Sequence, residues 1–274
     1  MTDPCTRQDV TGADGARLVG CAHGGQLLSW TPAGSQDDRL WTSDLAHCGP
    51  GLAIRGGIPV IFPQFADRGP LPKHGLARDR PWRLQADGAP GPARFAARLA
   101  DDEQTRLVWP YAFELDLTAT AAGAELTVVL GVSNPGPGPI RFTAALHSYL
   151  RVGDSGSTVT GLAGRSAEDN AAGGAALVVP AGPLAAREQR DLAVREVTGT
   201  VRLDDPRLGP VELAAHGFAD RVIWNPGSGH GLADVRPGAE SGFVCLEPAA
   251  LQPVALAPGE RWQSSMTLRS RTHK

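Results

Sequence analysis

Glycine and proline leave this chain little room for long helices. Its 274 residues include 34 glycines and 23 prolines. Inside a helix each glycine costs about 1 kcal/mol and each proline about 3 kcal/mol relative to alanine. Between them lies short apolar–polar alternation, not low-complexity sequence. In Phe113-Glu114-Leu115-Asp116-Leu117-Thr118 the alternation is strict, which puts one face of a strand on a core and the other in water. A short Ala-Ala-Gly-Ala turn leads from there into Glu125–Val132, and the two segments read as a hairpin. Similar strands are expected around 17–30, 39–44, 94–100, 141–152, 200–204, 219–224, 242–247 and 261–269. The clusters DGAPGP (87–92), NPGPGP (134–139) and AAGGAALVVPAGP (171–183) read as loops. The pattern specifies an all-β fold, a mainly antiparallel sandwich or barrel with few short helices. No repeat or linker divides the chain, so residues 1–274 are read as one domain.

A formal net charge of −3 gives the whole molecule no basic character that would suggest nucleic acid or a membrane surface as partner. No apolar run is long enough to span a bilayer, and MTDPCTRQDV lacks the apolar region of a secretory signal. Cys5, Cys21, Cys48 and Cys245 form no C-x-x-C pair, so four free thiols in a reducing cytoplasm are expected. His23, His47, His216, His230 and His273 show no metal-ligand spacing, and no metal site is expected. Gly227-Ser228-Gly229-His230-Gly231 matches neither a phosphate-binding loop nor a dinucleotide fingerprint and reads as a turn. No G-x-S-x-G elbow is present.

Three groups of ionisable residues are hard to explain as solvated surface. On a strand, His147 shares a face with Ala145 and Tyr149. It is either a core histidine satisfied by a neighbour or a general acid. Glu247 shares a face with Phe243 and Cys245, and Pro248 is expected to end that strand. A carboxylate so aligned is costly to bury unless it is paired or used. Between 67 and 83, five basic residues (Arg68, Lys73, Arg78, Arg80, Arg83) meet two acidic ones (Asp67, Asp79). That excess fits a solvated loop or an anion site. Arg55 lies just upstream, in LAIRGGIPVIFPQF.

Taken in order, IRGGIPVIFPQF, KHGLARDRPWRL, FTAALHSYLRVGD, VIWNPG and GFVCLEP resemble the glucose-6-phosphate 1-epimerases, or hexose-6-phosphate mutarotases, of the aldose 1-epimerase superfamily. The resemblance runs from about 17 to 269. It implies a β-supersandwich of the galactose-mutarotase type, with the sugar in a cleft on one sheet. It implies His147 and Glu247 as catalytic residues and Arg55, His74 and Arg78 as substrate-binding positions, with Gln64 near them. Asp191 is the nearest match to an aspartate that binds sugar hydroxyls, although the arginine and tyrosine expected after it are missing. Propensity alone makes 184–192 a short helix. The resemblance argues for a loop entering a strand there, and that reading is adopted.

The implied reaction opens the pyranose and recloses it on the other face of C1. Glu247 as ionised base and His147 as protonated acid, on opposite sides of the anomeric centre, would serve it. Arg55 and Arg78 would hold the 6-phosphate, with Lys73 or Arg80 outside them. No cofactor and no partner other than a sugar phosphate is implied, and a monomer is expected. Two rival readings are a mutarotase of unphosphorylated aldoses and a non-catalytic carbohydrate-binding sandwich.

Overall fold

The alternating segments become strands, and the strands stack as sheets. The structure, a computed structural model, describes residues 5–85 and 91–271. In chain order the strands are β1 (Arg7–Thr11), β2 (Arg17–Cys21), β3 (Gln26–Thr31), β4 (Val60–Ile61), β5 (Arg83–Leu84), β6 (Ala93–Ala100), β7 (Glu114–Ala122), β8 (Glu125–Ser133), β9 (Ile140–Leu146) and β10 (Tyr149–Arg151). They continue as β11 (Thr158–Thr160), β12 (Ser166–Asp169), β13 (Ala175–Val178), β14 (Leu184–Ala185), β15 (Arg190–Val194), β16 (Val201–Asp204), β17 (Val211–His216), β18 (Asp220–Asn225), β19 (Phe243–Leu256) and β20 (Arg261–Ser270).

One sheet of eight strands runs β13-β12-β15-β18-β19-β9-β4, with β10 also paired to β19. A second, of nine, runs β14-β11-β16-β17-β20-β8-β7-β6-β5, and β1-β2-β3 form a small third sheet. Among the described residues every ladder between these strands is antiparallel. The core lies between the two large sheets. Leu192, Ile223, Val244 and Leu246 of the first pack in one cluster with Leu115, Leu117, Val128, Leu130 and Leu268 of the second. Side chains alternate across a strand, so the neighbours of these residues emerge on the other face. There Ala145, Ala193, Val222 and Ala249 form a second cluster, and Tyr149, Phe243, Cys245 and Trp41 a third. The eight-stranded sheet is therefore buried on both faces, and its outer face carries the candidate site.

Several expectations need correction. The segment 39–44 forms only isolated bridges, Leu40 with Leu150 and Thr42 with Gly56. The Gly-rich stretch 171–183 contains β13, an edge strand paired to β12. At 184–192 the adopted reading, a loop entering a strand, holds, and the helix that propensity favours is absent. β14 and β15 stand there instead, because cross-strand partners outweigh local preference. A helix not foreseen, α1 (Glu103–Val108), starts at a capping box in which Asp102 accepts from the Thr105 amide. The loop expected at 87–92 lies mostly outside the described residues, as does His273. Cys5 and Cys48, far apart in sequence, are joined in a disulfide, while Cys21 and Cys245 are buried and not disulfide-bonded. The count of free thiols thus no longer argues for a reducing compartment. Among the described residues no helix is long and apolar enough to cross a membrane.

Pro248 does not end its strand. β19 continues through it, with Pro248 opposite Arg221. The Leu246 amide donates to Ser148 O, so by alternation the missing N–H of Pro248 falls on the same side, opposite Leu146. The Leu146 carbonyl is already engaged by the Ser148 amide, at 2.9 Å. The neighbouring strand breaks at His147-Ser148, between β9 and β10, where the proline has no bond to give.

Candidate active site

Register brings the two expected catalytic residues together. β19 pairs Ala249 with Ala145 and Cys245 with Tyr149, which sets Glu247 across from His147. His147 Nε2 lies 3.4 Å from Glu247 Oε1, with both side chains almost wholly buried. The two stand side by side on one wall, not on opposite sides of a cleft. The His147 ring stacks on Tyr149 (centroids 4.9 Å, planes 10° apart), and Trp224 meets His147 edge-on at 5.8 Å. These rings fix the imidazole plane. Burial, then the negative charge of Asp191, pushes the Glu247 carboxyl well above its ordinary range. Burial, then Arg78 and Arg55, pushes His147 well below its own. Each group is driven toward its neutral form, so the proton of the pair favours the carboxyl. Desolvation acts on both groups, and the nearby cations act against imidazolium.

The pair forms part of the wall of a cavity of about 470 Å³. Arg55, Lys73, His74, Arg78 and Asp191 also line it. Arg55 is held rigidly, its Nε donating to Asp234 Oδ2 and its Nη1 to the Tyr149 hydroxyl, each at 3.0 Å. Burial alone would lower its pKa, but Tyr149 and Asp234 outweigh burial and raise it. The two glycines after it are steric necessities. A Cβ on Gly56 would lie 2.4 Å from Trp41 O, and one on Gly57 2.0 Å from Leu27 O.

His74 adopts a left-handed backbone (φ 68°), followed by Gly75 at φ 72°. Its Nδ1 accepts from the Ala66 amide at 3.2 Å, which leaves Nε2 as the protonated nitrogen of a neutral ring. Burial, then His147 and the surrounding cations, pushes its pKa down, so it remains a neutral donor. Its ring meets Phe65 and His147 edge-on, at 5.4 and 5.5 Å. A Cβ on Gly75 would lie 2.3 Å from Phe62 O. Gly75→Ala is therefore expected to lower stability by about 1–3 kcal/mol and to displace His74. Denaturant unfolding of the variant measures the first effect, and a wild-type midpoint would contradict it.

Arg78 differs from Arg55. Its Nη2 donates to Lys73 O at 3.1 Å, and among the described residues it has no carboxylate partner. Burial, with Arg55 adding repulsion, lowers its pKa. Lys73 approaches Asp67 at 3.5 Å on the exposed rim. Beyond Glu247, Asp191 accepts from Asn170 Nδ2 at 2.7 Å, and burial raises its pKa. Arg68 closes that end through Glu168, at 2.6 Å. The cavity is thus polar along its length, with uncompensated positive charge near His147 and His74 and a fixed carboxylate past Glu247.

Of the seven residues expected from sequence, the structure sets six around this cavity: Arg55, His74, Arg78, His147, Asp191 and Glu247. Gln64 is turned away. Its amide donates to Ala66 O and Leu71 O and accepts from the Leu71 amide, which clamps its own loop. Arg80 is absent from the lining too. Sequence reasoning missed Trp224, Asn170 and the Arg55 partners Tyr149 and Asp234, while Arg68 stood only within the basic cluster at 67–83. Tyr149 and Trp224 stood inside the quoted motifs LHSY and VIWNPG. Asp234 and Asn170 left no signal, because loops bring them in from far along the chain.

A carboxyl–imidazole pair on the outer face of an antiparallel β-sandwich, beside a cavity lined with both charges, is the kind of site that acid–base chemistry on a polar, hydroxyl-rich ligand calls for. The family described as aldose 1-epimerase matches residues 10–269, and the chain belongs to it. A protein of Escherichia coli K12 named as a candidate glucose-6-phosphate 1-epimerase is 32% identical, over 82% of this chain and 77% of that one. One of the same name from Cenchrus ciliaris is 29% identical, over 90% of this chain and 79% of that one. The crystal structure of a candidate mutarotase, YeaD, from Salmonella typhimurium superposes with a TM-score of 0.85 at 26% identity, covering 99% of this chain and 96% of that one. The galactose-mutarotase type of sandwich expected from the motifs is the fold observed.

Proposed function

We propose that the protein interconverts the α and β anomers of a hexose 6-phosphate, with glucose 6-phosphate as substrate. The names of its relatives support the sugar phosphate, and Arg78 carries the reading. It is a partly buried guanidinium without a carboxylate partner, in the same cavity as the proton-transfer pair. A phosphate is the anion that suits it, and the remaining N–H groups of Arg55 and the ammonium of Lys73 lie along the same wall.

Ring opening removes the proton of the C1 hydroxyl, delivers one to the ring oxygen, breaks the bond from C1 to the ring oxygen and forms the C1 carbonyl. Both oxygens are bonded to C1, so two neighbouring groups on one wall reach them together. With the proton on Glu247, the carboxyl protonates the ring oxygen while neutral His147 takes the hydroxyl proton. Reclosure runs the same transfers backward with the roles exchanged. His74 Nε2–H donates to a sugar oxygen, and Asp191, held by Asn170, accepts from hydroxyls. These contacts align the ring before proton transfer. No step calls for a metal or a redox group.

Exchange of the anomeric protons, followed by NMR saturation transfer on glucose 6-phosphate and on glucose, tests the proposal. Faster exchange of the phosphorylated sugar is expected. Acceleration of glucose alone would favour the unphosphorylated-aldose reading, and acceleration of neither would favour a binding module.

A further inference from the structure

Cys245 takes no part in the proton transfers, yet it stands beside both groups that do. Residues i and i+2 of a strand share a face, so Cys245 and Glu247 project together from β19. The register of β9 and β10 adds His147 from the next strand. One ligand atom from each of the three side chains lies within 4.8 Å of the others. Two donors from one strand and a third from its neighbour are what a sheet needs to converge on a single ion. His147 and Glu247 line the cavity, so a fourth position faces it. Thiolate, imidazole and carboxylate together suit Zn²⁺, which takes four ligands of these types, and do not suit Mg²⁺ or Ca²⁺, which prefer oxygen. A separate observation points the same way: His147 Nδ1 and Glu247 Oε2 are buried and have no hydrogen-bond partner.

We propose that His147, Cys245 and Glu247 bind a thiophilic divalent cation, Zn²⁺ in the first instance, and that the bound ion excludes the sugar from the proton-transfer pair. As the sulfur–zinc bond forms, the thiol proton leaves to solvent, together with any proton held between His147 and Glu247. Nothing is oxidised or reduced. The spacing of histidines in the sequence gave no hint of this set, because its third ligand comes from another strand. Metal binding does not depend on the catalytic reading; inhibition by the metal does.

Titration of the full chain with Co²⁺, followed by absorption, tests the site. One Co²⁺ per chain is expected, with a thiolate-to-cobalt charge-transfer band in the near ultraviolet. Zn²⁺ should displace it and Mg²⁺ should not. Cys245→Ala should abolish the band, and Cys21→Ala should retain it. Zn²⁺ should inhibit anomer exchange in competition with glucose 6-phosphate. Cys245→Ala should keep the wild-type exchange rate but need at least about tenfold more Zn²⁺ for the same inhibition, the least that losing a ligand should cost. No thiolate band, a band that survives Cys245→Ala, or equal Zn²⁺ inhibition in both proteins overturns the site. A band lost in Cys245→Ala without any effect of Zn²⁺ on exchange supports the site and overturns the assignment of His147 and Glu247 as the catalytic pair.

Discussion

Glu247→Gln is expected to slow anomer exchange by about 10²–10⁴-fold, the usual contribution of a general acid–base group, while leaving the protein at least as stable as the wild type. The amide keeps the shape of the carboxyl but cannot pass a proton between the two oxygens on C1. The stability effect follows from the burial that raises the carboxyl above its ordinary range. A group whose pKa is raised by folding adds stability that is fully present below its unfolded value and is lost as pH rises through the folded value. Glutamine, neutral throughout, escapes that loss. Melting temperatures should therefore coincide near about pH 4 and diverge in favour of the variant toward about pH 8. A variant that retains wild-type exchange would remove Glu247 from the reaction. One that melts lower at the alkaline end would contradict the account of its burial.

Arg78→Ala is expected to lower kcat/KM for glucose 6-phosphate by about 10²–10³-fold, as when one partner of a buried, hydrogen-bonded charge pair is truncated. Exchange of free glucose should change by no more than about threefold, because the proton-transfer pair and His74 keep their places. Steady-state rates on both sugars decide this, and an equal loss on both would take the phosphate away from Arg78. Arg55→Ala is a less clean probe. It also strips Asp234 and the Tyr149 hydroxyl of their shared partner, so its effect mixes binding with local collapse.

Local pattern carried much of the fold. The strict alternation of 113–118 was enough to place the β7–β8 hairpin, and the Gly/Pro density excluded long helices. The residues misjudged are those whose conformation is decided by partners distant in sequence. Pro248 would end an isolated strand, but here its missing donor meets the gap at His147-Ser148. Propensity alone would also have misjudged Leu184–Leu192 as a helix, where the resemblance read a strand entry correctly: β11 and β18 claim its two ends. In the site, the motifs made His147, Glu247, Arg55, His74 and Arg78 legible as chemistry-bearing residues. They gave no hint that Gln64, within one of those motifs, serves its own loop. Nor could they show that His147 and Glu247 are neighbours, since only the strand register sets that distance. The Cys5–Cys48 bridge lay beyond spacing arguments because no short motif joins the two cysteines.

The proposed catalytic pair, roughly a hundred positions apart in the sequence, also bears on how the chain reaches its working state. The β7–β8 hairpin can close early, since its ends are near one another. The contact between His147 and Glu247 must await the β9–β19 and β10–β19 ladders, whose loop-closure entropy is among the costs that slow folding. Upon dilution from denaturant, strand signal in the far ultraviolet should therefore recover ahead of anomer exchange. Activity is thus a late reporter of the folding reaction, and a chain can look largely refolded by its backbone while still unable to turn over a sugar.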